Sequence, residues 1–292
     1  LPLVRRLHAQ RPFDVIDASF FFPDGPVASR LSKALGIPYS VKARGADIHH
    51  WGTQPATRKL VRQAADDAAG LLAVSDAMRR SMARMGIDAD KIRVHYTGVD
   101  LDTFELTDRQ AAKAALDFNG PVVLSVGALI PRKGQDLLVR ALPHLPDVTL
   151  LLAGQGQYRR TLETLAQELG VERRIGFLGS VPHHKLPRIF AAADVMALVS
   201  ESEGLANAWV EALACGTPVV VSEAGGAREL VSSAVAGRVT AQEPGAIADA
   251  VRELLADKPD RAAVRATVER FSWDRNGEEL EGFFRRVLAL KP

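Results

Sequence analysis

Short apolar runs alternate with longer amphipathic segments along almost the whole chain, and this alternation limits the fold more than any other feature. Strands buried on both faces read as unbroken apolar runs, and the helical stretches between them are the crossovers that a parallel sheet requires. Such runs stand at 14–17, 39–42, 70–74 and 92–95, with helices expected over 24–35, 55–65 and 76–85. The segment Tyr96-Thr97-Gly98-Val99-Asp100 and the polar residues after it lack periodicity and precede a fresh helix over 108–116, so a domain boundary belongs near Phe104. A second alternation follows, with strands expected at 122–126, 149–153, 175–178, 195–199, 219–221 and 237–239. From about Ala246 only helices remain, Trp273 opening the last. The expectation is an α/β chain with two doubly wound, Rossmann-like domains, the second complete and the first short of strands.

Composition agrees with this reading and removes several function classes. A chain of 292 residues is long for one core, and 47% apolar with 25% charged residues is the make-up of an ordinary globular protein. A formal net charge of +2 carries no nucleic-acid footprint. Cys215 is the single cysteine, so no intrachain disulfide can form and a reducing cytoplasm is the default expectation. Every apolar run is broken well short of the roughly 20 residues of a membrane helix. The chain opens at Leu1 in a helix leading into a strand, from which upstream sequence is expected to be missing.

Two loops carry the candidate chemistry. In Ser125-Val126-Gly127-Ala128-Leu129-Ile130-Pro131-Arg132-Lys133-Gly134 a buried strand ends at Gly127 and a helix begins near Gly134. Ligands of open parallel sheets lie beyond such strand ends, where helix N-termini offer N–H groups to anions. Arg132 beside Lys133 suits a diphosphate whose charge grows as it leaves, a solvated basic turn being the plainer alternative. No G-x-G-x-x-G is present, which argues against a nicotinamide enzyme. In Glu203-Gly204-Leu205-Ala206-Asn207-Ala208-Trp209-Val210-Glu211 one carboxylate stands in a loop and the other lies inside the next helix, among residues that read as buried. At about 1.5 Å of rise per residue the pair can be roughly 10 Å apart, the scale of a nucleoside diphosphate joining a sugar to a ribose. Glu203 would accept from sugar hydroxyls, and Glu211 from a ribose diol.

These motifs, with Ala214-Cys215-Gly216-Thr217-Pro218-Val219-Val220 and Glu223-Ala224-Gly225-Gly226-Ala227-Arg228-Glu229 after them, resemble family 4 of the retaining GT-B glycosyltransferases, and the likeness runs over nearly the whole chain. It implies two Rossmann-like domains facing across a cleft: an incomplete acceptor-binding domain over 1–104, a donor-binding domain over 105–272, and a final helix over 273–292 expected to pack back on the first. It implies that Gly127, Arg132 and Lys133 hold the donor diphosphate, Glu203 the sugar and Glu211 the ribose. Gly204, Leu205 and Ala206 would supply backbone N–H groups, and Gly179 to Val181 would lie near the base. Lys42-Ala43-Arg44-Gly45-Ala46-Asp47-Ile48 resembles the loop of the family that faces the donor sugar, with Arg44 where histidine is usual. Arg44, Gly45, Asp47 and the turn at Ser75 are therefore expected on the acceptor side, although an Arg44–Asp47 salt bridge and a helix cap at Ser75 are the simpler readings. Arg132, Lys133, Glu203 and Asp47 form the expected catalytic set.

The implied reaction moves a sugar from a UDP- or GDP-sugar to a hydroxyl of a glycan or lipid-linked acceptor, with retention and without a metal or other cofactor. A GT-B sugar-nucleotide epimerase and a non-catalytic nucleotide-sugar binder are the alternatives. The adjacent pairs His49-His50 and His183-His184 lack metal-site spacing, and Cys215 reads as a small buried residue. Basic clusters Arg58-Lys59-Arg62 and Arg79-Arg80-Arg84 would suit anionic lipid headgroups at the inner face of a membrane, a solvated helix face being the simpler account.

Overall fold

The computed structural model describes residues 1–289; the last three residues of the helix expected over 273–292 lie outside the described residues. The chain divides into two compact units. The first comprises Leu1–Thr97, Glu203–Leu205 and the residues from Asp274, and the second Gly98–Ser202 and Ala206–Trp273.

The first unit holds a parallel sheet of β1 (Ile16–Ala18), β2 (Tyr39–Ala43), β3 (Gly70–Ala73) and β4 (Ile92–Val94), in that spatial order. Its helices are α1 (Pro2–Gln10), α2 (Asp24–Leu35), α3 (Ala46–His49), α4 (Pro55–Asp67) and α5 (Asp76–Arg84). Helix α2 spans the residues the periodicity predicts and stops at Gly36, whose φ of +68° is the left-handed conformation that ends helices. Phe21, Tyr39, Val41, Leu71, Met78 and Met82 form the larger core of this unit. A smaller cluster joins Leu72 to Phe283 and Val287 of the terminal helix, Trp273–Ala289. That contact needs Gly70, because a Cβ there would lie 2.7 Å from the Phe283 ring.

The second unit carries six parallel strands, β5 (Val122–Val126), β6 (Thr149–Ala153), β7 (Ile175–Gly179), β8 (Val195–Leu198), β9 (Val219–Ser222) and β10 (Gly237–Thr240). Its helices are α6 (Arg109–Ala114), α7 (Gln135–Ala141), α8 (Arg159–Glu168), α9 (Leu186–Ala192), α10 (Asn207–Ala214), α11 (Ala227–Leu230), α12 (Pro244–Asp257) and α13 (Arg261–Ala266), and the terminal helix is α14. The spatial order is β10-β9-β8-β5-β6-β7. Renumbered from β5, this is the 3-2-1-4-5-6 order of a dinucleotide-binding fold, in which the chain reverses direction between β5 and β8. Buried Val, Leu and Ala dominate the inner strands β5, β6, β8 and β9, as a sheet covered on both faces demands, while the edge strands β7 and β10 are mostly half-buried.

The division falls between Thr97 and Gly98, a few residues before the boundary expected near Phe104. Hydrogen bonding is the reason: Val99 N–H donates to the Phe271 carbonyl at 2.8 Å, and the Arg265 guanidinium donates to the Leu101 carbonyl at 2.7 Å and to that of Phe104. Helix α3 was outside the expected elements, since four residues are too few to show a period. No helix among the described residues is long and apolar enough to cross a membrane.

Candidate functional site

The reversal between β5 and β8 places two loops of the second unit side by side at the carboxyl ends of the strands, the position where open α/β sheets bind ligands. The first runs from Gly127 to Gly134. Gly134 has a φ of +68°, and a Cβ on it would collide with the Val199 carbonyl, so the loop approaches β8 more closely than any other residue allows. The Lys133 stem passes over Gly127, its carbons 3.9 Å from where a Cβ would stand.

Arg132 is tied to the second loop in both directions. Its Nη1 donates to the Ser202 carbonyl at 2.6 Å, and its own carbonyl accepts from Glu201 N–H at 2.9 Å. Arg132 thus sets the path of the chain toward α10 with two of its own groups, one side-chain donor and its backbone carbonyl. Below, Gln135 is fully buried and donates to the Ala128 carbonyl at 3.1 Å.

Helix α10 begins without a side-chain cap, its N-cap being Ala206. Most helices satisfy their first N–H groups with Ser, Thr, Asp or Asn, and a terminus without one retains donors and positive partial charge for a ligand. One turn further in, Glu211 is 8% exposed among Val210, Ala212 and Leu213. His183 Nε2 lies 3.0 Å from Glu211 Oε1, and the imidazole packs edge-on against the buried Phe104 with ring centres 5.2 Å apart. His183 is therefore a neighbour of the candidate ribose carboxylate, which its adjacency to His184 concealed. The signal lay in its place just after β7, whose final residue Gly179 turns the chain with a φ of +67°. Val181 follows, half-buried.

The far end of α10 is held by cations. Arg265 donates to the Ala214 carbonyl at 2.6 Å, Arg261 to that of Cys215 at 2.7 Å, and Arg109 to that of Gly216 at 3.3 Å. Positive side chains at these carbonyls both satisfy them and oppose the negative end of the helix dipole. Burial pushes the Cys215 thiol up to about 12, consistent with an inert packing residue.

The remaining candidates belong to the first unit. Glu203, Gly204 and Leu205 cluster there, Gly204 and Leu205 buried and Glu203 half-buried. Ser75 is the N-cap of α5, accepting from Met78 N–H at 3.1 Å, and its hydroxyl donates to the Gly204 carbonyl at 3.2 Å. Asp47 corrects the expectation of a substrate-facing carboxylate. It is fully buried, one oxygen accepting from Phe21 N–H at 3.1 Å and the other from Arg44 and Gly45 N–H at 3.1 and 2.8 Å. Burial raises its pKa and these three donors pull the other way, so Asp47 is a positioning residue that shapes the loop bearing Arg44 and Gly45. The link between Arg44 and Asp47 is this backbone bond, and the Arg44 guanidinium lies 5.9 Å from the Phe20 ring centre.

Lys42 lies in β2, just before the loop of Arg44 and Gly45, and has a partner far away in sequence. Its Nζ lies 2.9 Å from His95 Nδ1, and His95 Nε2 lies 3.0 Å from the Asn276 carbonyl. A carbonyl only accepts, so the Nε2 carries the proton and Nδ1 accepts from Lys42. Burial, then the Arg44 charge, lowers Lys42 to about 8; burial, then Lys42, lowers His95.

The chain belongs to the glycosyl transferases group 1 family, which it matches over 107–270, while 1–103 match Glycosyltransferase Family 4. It is 37% identical over 254 residues to the D-inositol 3-phosphate glycosyltransferase of Mycobacterium tuberculosis (strain ATCC 25618 / H37Rv), an alignment covering 82% of this chain and 53% of that protein. The chain spans about half the length of the curated relatives it matches. Among solved structures, Anabaena HepE in complex with UDP superposes with a TM-score of 0.87 at 26% identity, covering 97% of this chain and 82% of that one. Sucrose-phosphate synthase from Thermosynechococcus elongatus gives 0.86 at 25% identity, covering 98% and 76%. With the two parallel sheets, these neighbours define the fold as GT-B.

Proposed function

We propose that the protein is a glycosyltransferase that takes a sugar from a nucleotide-sugar, UDP-linked in the first instance with GDP as the other candidate, and passes it to an acceptor hydroxyl with retention of configuration. The observation that carries this reading is the pairing, at the sheet reversal of the second unit, of the Arg132–Lys133 loop with α10, a helix with no side-chain cap at its start and a buried carboxylate one turn inside. Glu211 would accept both hydroxyls of the ribose. Arg132, Lys133 and the first N–H groups of α10 would take the diphosphate, whose negative charge rises as the bond to the sugar breaks. The acceptor oxygen forms its bond on the face the phosphate leaves, and its proton goes to the departing phosphate oxygen. Charge on the leaving group is thereby met by side chains and N–H groups, and no metal or other cofactor is assigned a role. Glu203 would receive sugar hydroxyls, and Gly179 to Val181 would border the base.

The complex of HepE with UDP supports the choice of nucleotide, and the inositol phosphate glycosyltransferases support a hydroxyl acceptor. A glycan or a lipid-linked acceptor is the class we favour. Of the two basic helices, α4 is the better candidate for meeting a membrane, because Arg79 and Arg80 of α5 are both paired with Asp76. Titration calorimetry with UDP, GDP and ADP tests the donor reading. One nucleotide should bind selectively, and both Glu211→Ala and the double change Arg132→Ala/Lys133→Ala should abolish that binding. Equal binding of all three, or affinity unaltered in the variants, would refute it.

A further inference from the structure

At the opposite ends of the strands of the second unit, where β5, β8 and β9 begin, lies a cavity of about 650 Å³. Four cations line it, Arg109, Lys113, Lys258 and Arg261, against two carboxylates, Asp194 and Asp260. Both carboxylates are already engaged. Asp194 accepts from Lys113 Nζ at 2.6 Å and from Val122 N–H at 2.8 Å, with Arg109 at 3.6 Å, and Asp260 caps α13 through Ala263 N–H at 2.8 Å. The wall therefore keeps a surplus of two positive charges. Two of its guanidiniums also carry a buried Nε, that of Arg109 and that of Arg261, with no hydrogen-bond partner among the described residues. Buried donors are seldom left in that condition, and a bound ion is one of the usual reasons. Burial lowers both arginines; for Arg109 the charge of Asp194 opposes this and that of Arg261 adds to it, while for Arg261 the neighbouring acidic groups, Asp108 and Asp194 among them, oppose it.

We propose that this cavity is a second anion site, separate from the candidate donor loops, and that it takes a small phosphorylated molecule. A phosphate monoester carries about −1.5 to −2 charges near neutrality, which matches the surplus, and its oxygens are strong acceptors. The volume exceeds what a bare phosphate fills and lies within the range of about 300–1,000 Å³ typical of small-molecule sites, so a sugar phosphate fits better than the free ion. Arg109 and Arg261 also donate to the carbonyls of Gly216 and Cys215 at the end of α10, so an anion here bears on the residues that hold that helix. The inference is independent of the donor reading.

Calorimetric titration of the protein with glucose 6-phosphate, inorganic phosphate and glucose, at constant ionic strength, separates the sources. Glucose 6-phosphate should bind more tightly than phosphate, and glucose should not bind. Lys258 is an exposed rim residue, and Lys258→Glu should weaken glucose 6-phosphate by at least about fivefold while leaving UDP affinity unchanged. In the Arg132→Ala/Lys133→Ala variant glucose 6-phosphate should still bind. Binding that disappears in the double variant but survives Lys258→Glu would assign the phosphate to the donor loops and overturn the proposal. So would the absence of binding to the wild-type chain at concentrations up to about 10 mM.

Discussion

Replacing His183 by alanine should tighten the binding of UDP. The carboxylate of Glu211 has two oxygens, and a ribose diol uses both, yet His183 Nε2 already lies 3.0 Å from Oε1. If Glu211 holds the ribose as proposed, the nucleotide must displace the imidazole, at the loss of that hydrogen bond and the edge-on contact with Phe104. A hydrogen bond contributes about 0.5–1.5 kcal/mol net, and the His183 side chain is 67% exposed, which puts this one at the lower end. Removing a competitor worth about 0.5–1 kcal/mol should lower the UDP dissociation constant roughly two- to fivefold. The assay is titration of wild type and His183→Ala with UDP and with 2′-deoxy-UDP. The deoxynucleotide has one hydroxyl and needs only one carboxylate oxygen, so it should gain less from the substitution. Weaker UDP binding by His183→Ala would mean that the imidazole contacts the nucleotide directly, and equal gains for both nucleotides would mean that it competes for something other than the diol. Either result would refute the argument.

Three further substitutions test the positioning of the loops. Asp47→Asn puts an amide N–H₂ opposite at least one backbone N–H that now meets an oxygen, and should cost about 1–3 kcal/mol in urea unfolding; an unchanged midpoint would contradict the role of Asp47 as loop organiser. Gly134→Ala forces a side chain into the left-handed region and against the Val199 carbonyl, and should lower the melting temperature and the UDP affinity together, with a penalty of about 1–3 kcal/mol in unfolding free energy. Lys42→Met should stabilise the chain below pH 8, where Lys42 is protonated in both states and the folded state bears the whole cost of its lowered pKa. The gain, on the order of 2 kcal/mol for a half-buried group, should fade as pH rises from about 8 to 10.5 and the unfolded lysine also loses its proton. A difference between wild type and Lys42→Met that is flat across that window would exclude the perturbed lysine.

The parts of the fold that could be read from the sequence are those fixed by burial on two faces. Strands β5 and β6 and helix α2 occupy the residues their apolar patterns mark out, and the remaining strands differ only at their ends. Burial alone could not reveal pairings between residues far apart in sequence. His183 meets Glu211 because the turn that precedes α9 lies against α10, in a unit whose sheet order is not the chain order. Asp47 has the loop setting of a substrate ligand in sequence, yet its oxygens are consumed by Phe21 and by its own loop, a partner 26 residues away that no local pattern announces. Lys42 and His95 share a contact across 53 residues for the same reason.

Helix α10 shows how such distant residues combine into a site. Its start has no side-chain cap, which would ordinarily cost about 1 kcal/mol relative to a good capping residue. Its end is over-provided, with three arginines from α6 and α13 on three successive carbonyls. Cations at the C-terminus stabilise a helix by about 0.3–1 kcal/mol each where partly exposed, and more where buried, so the one end offsets the other. The helix can then remain folded with its first N–H groups committed to no side chain. If that balance is what permits the open start, Arg265→Ala should weaken UDP binding without touching nucleotide, and the added substitution Ala206→Ser, which supplies a cap, should restore stability while lowering UDP affinity further. Recovery of both stability and affinity in the double variant would show that the missing cap has no part in binding.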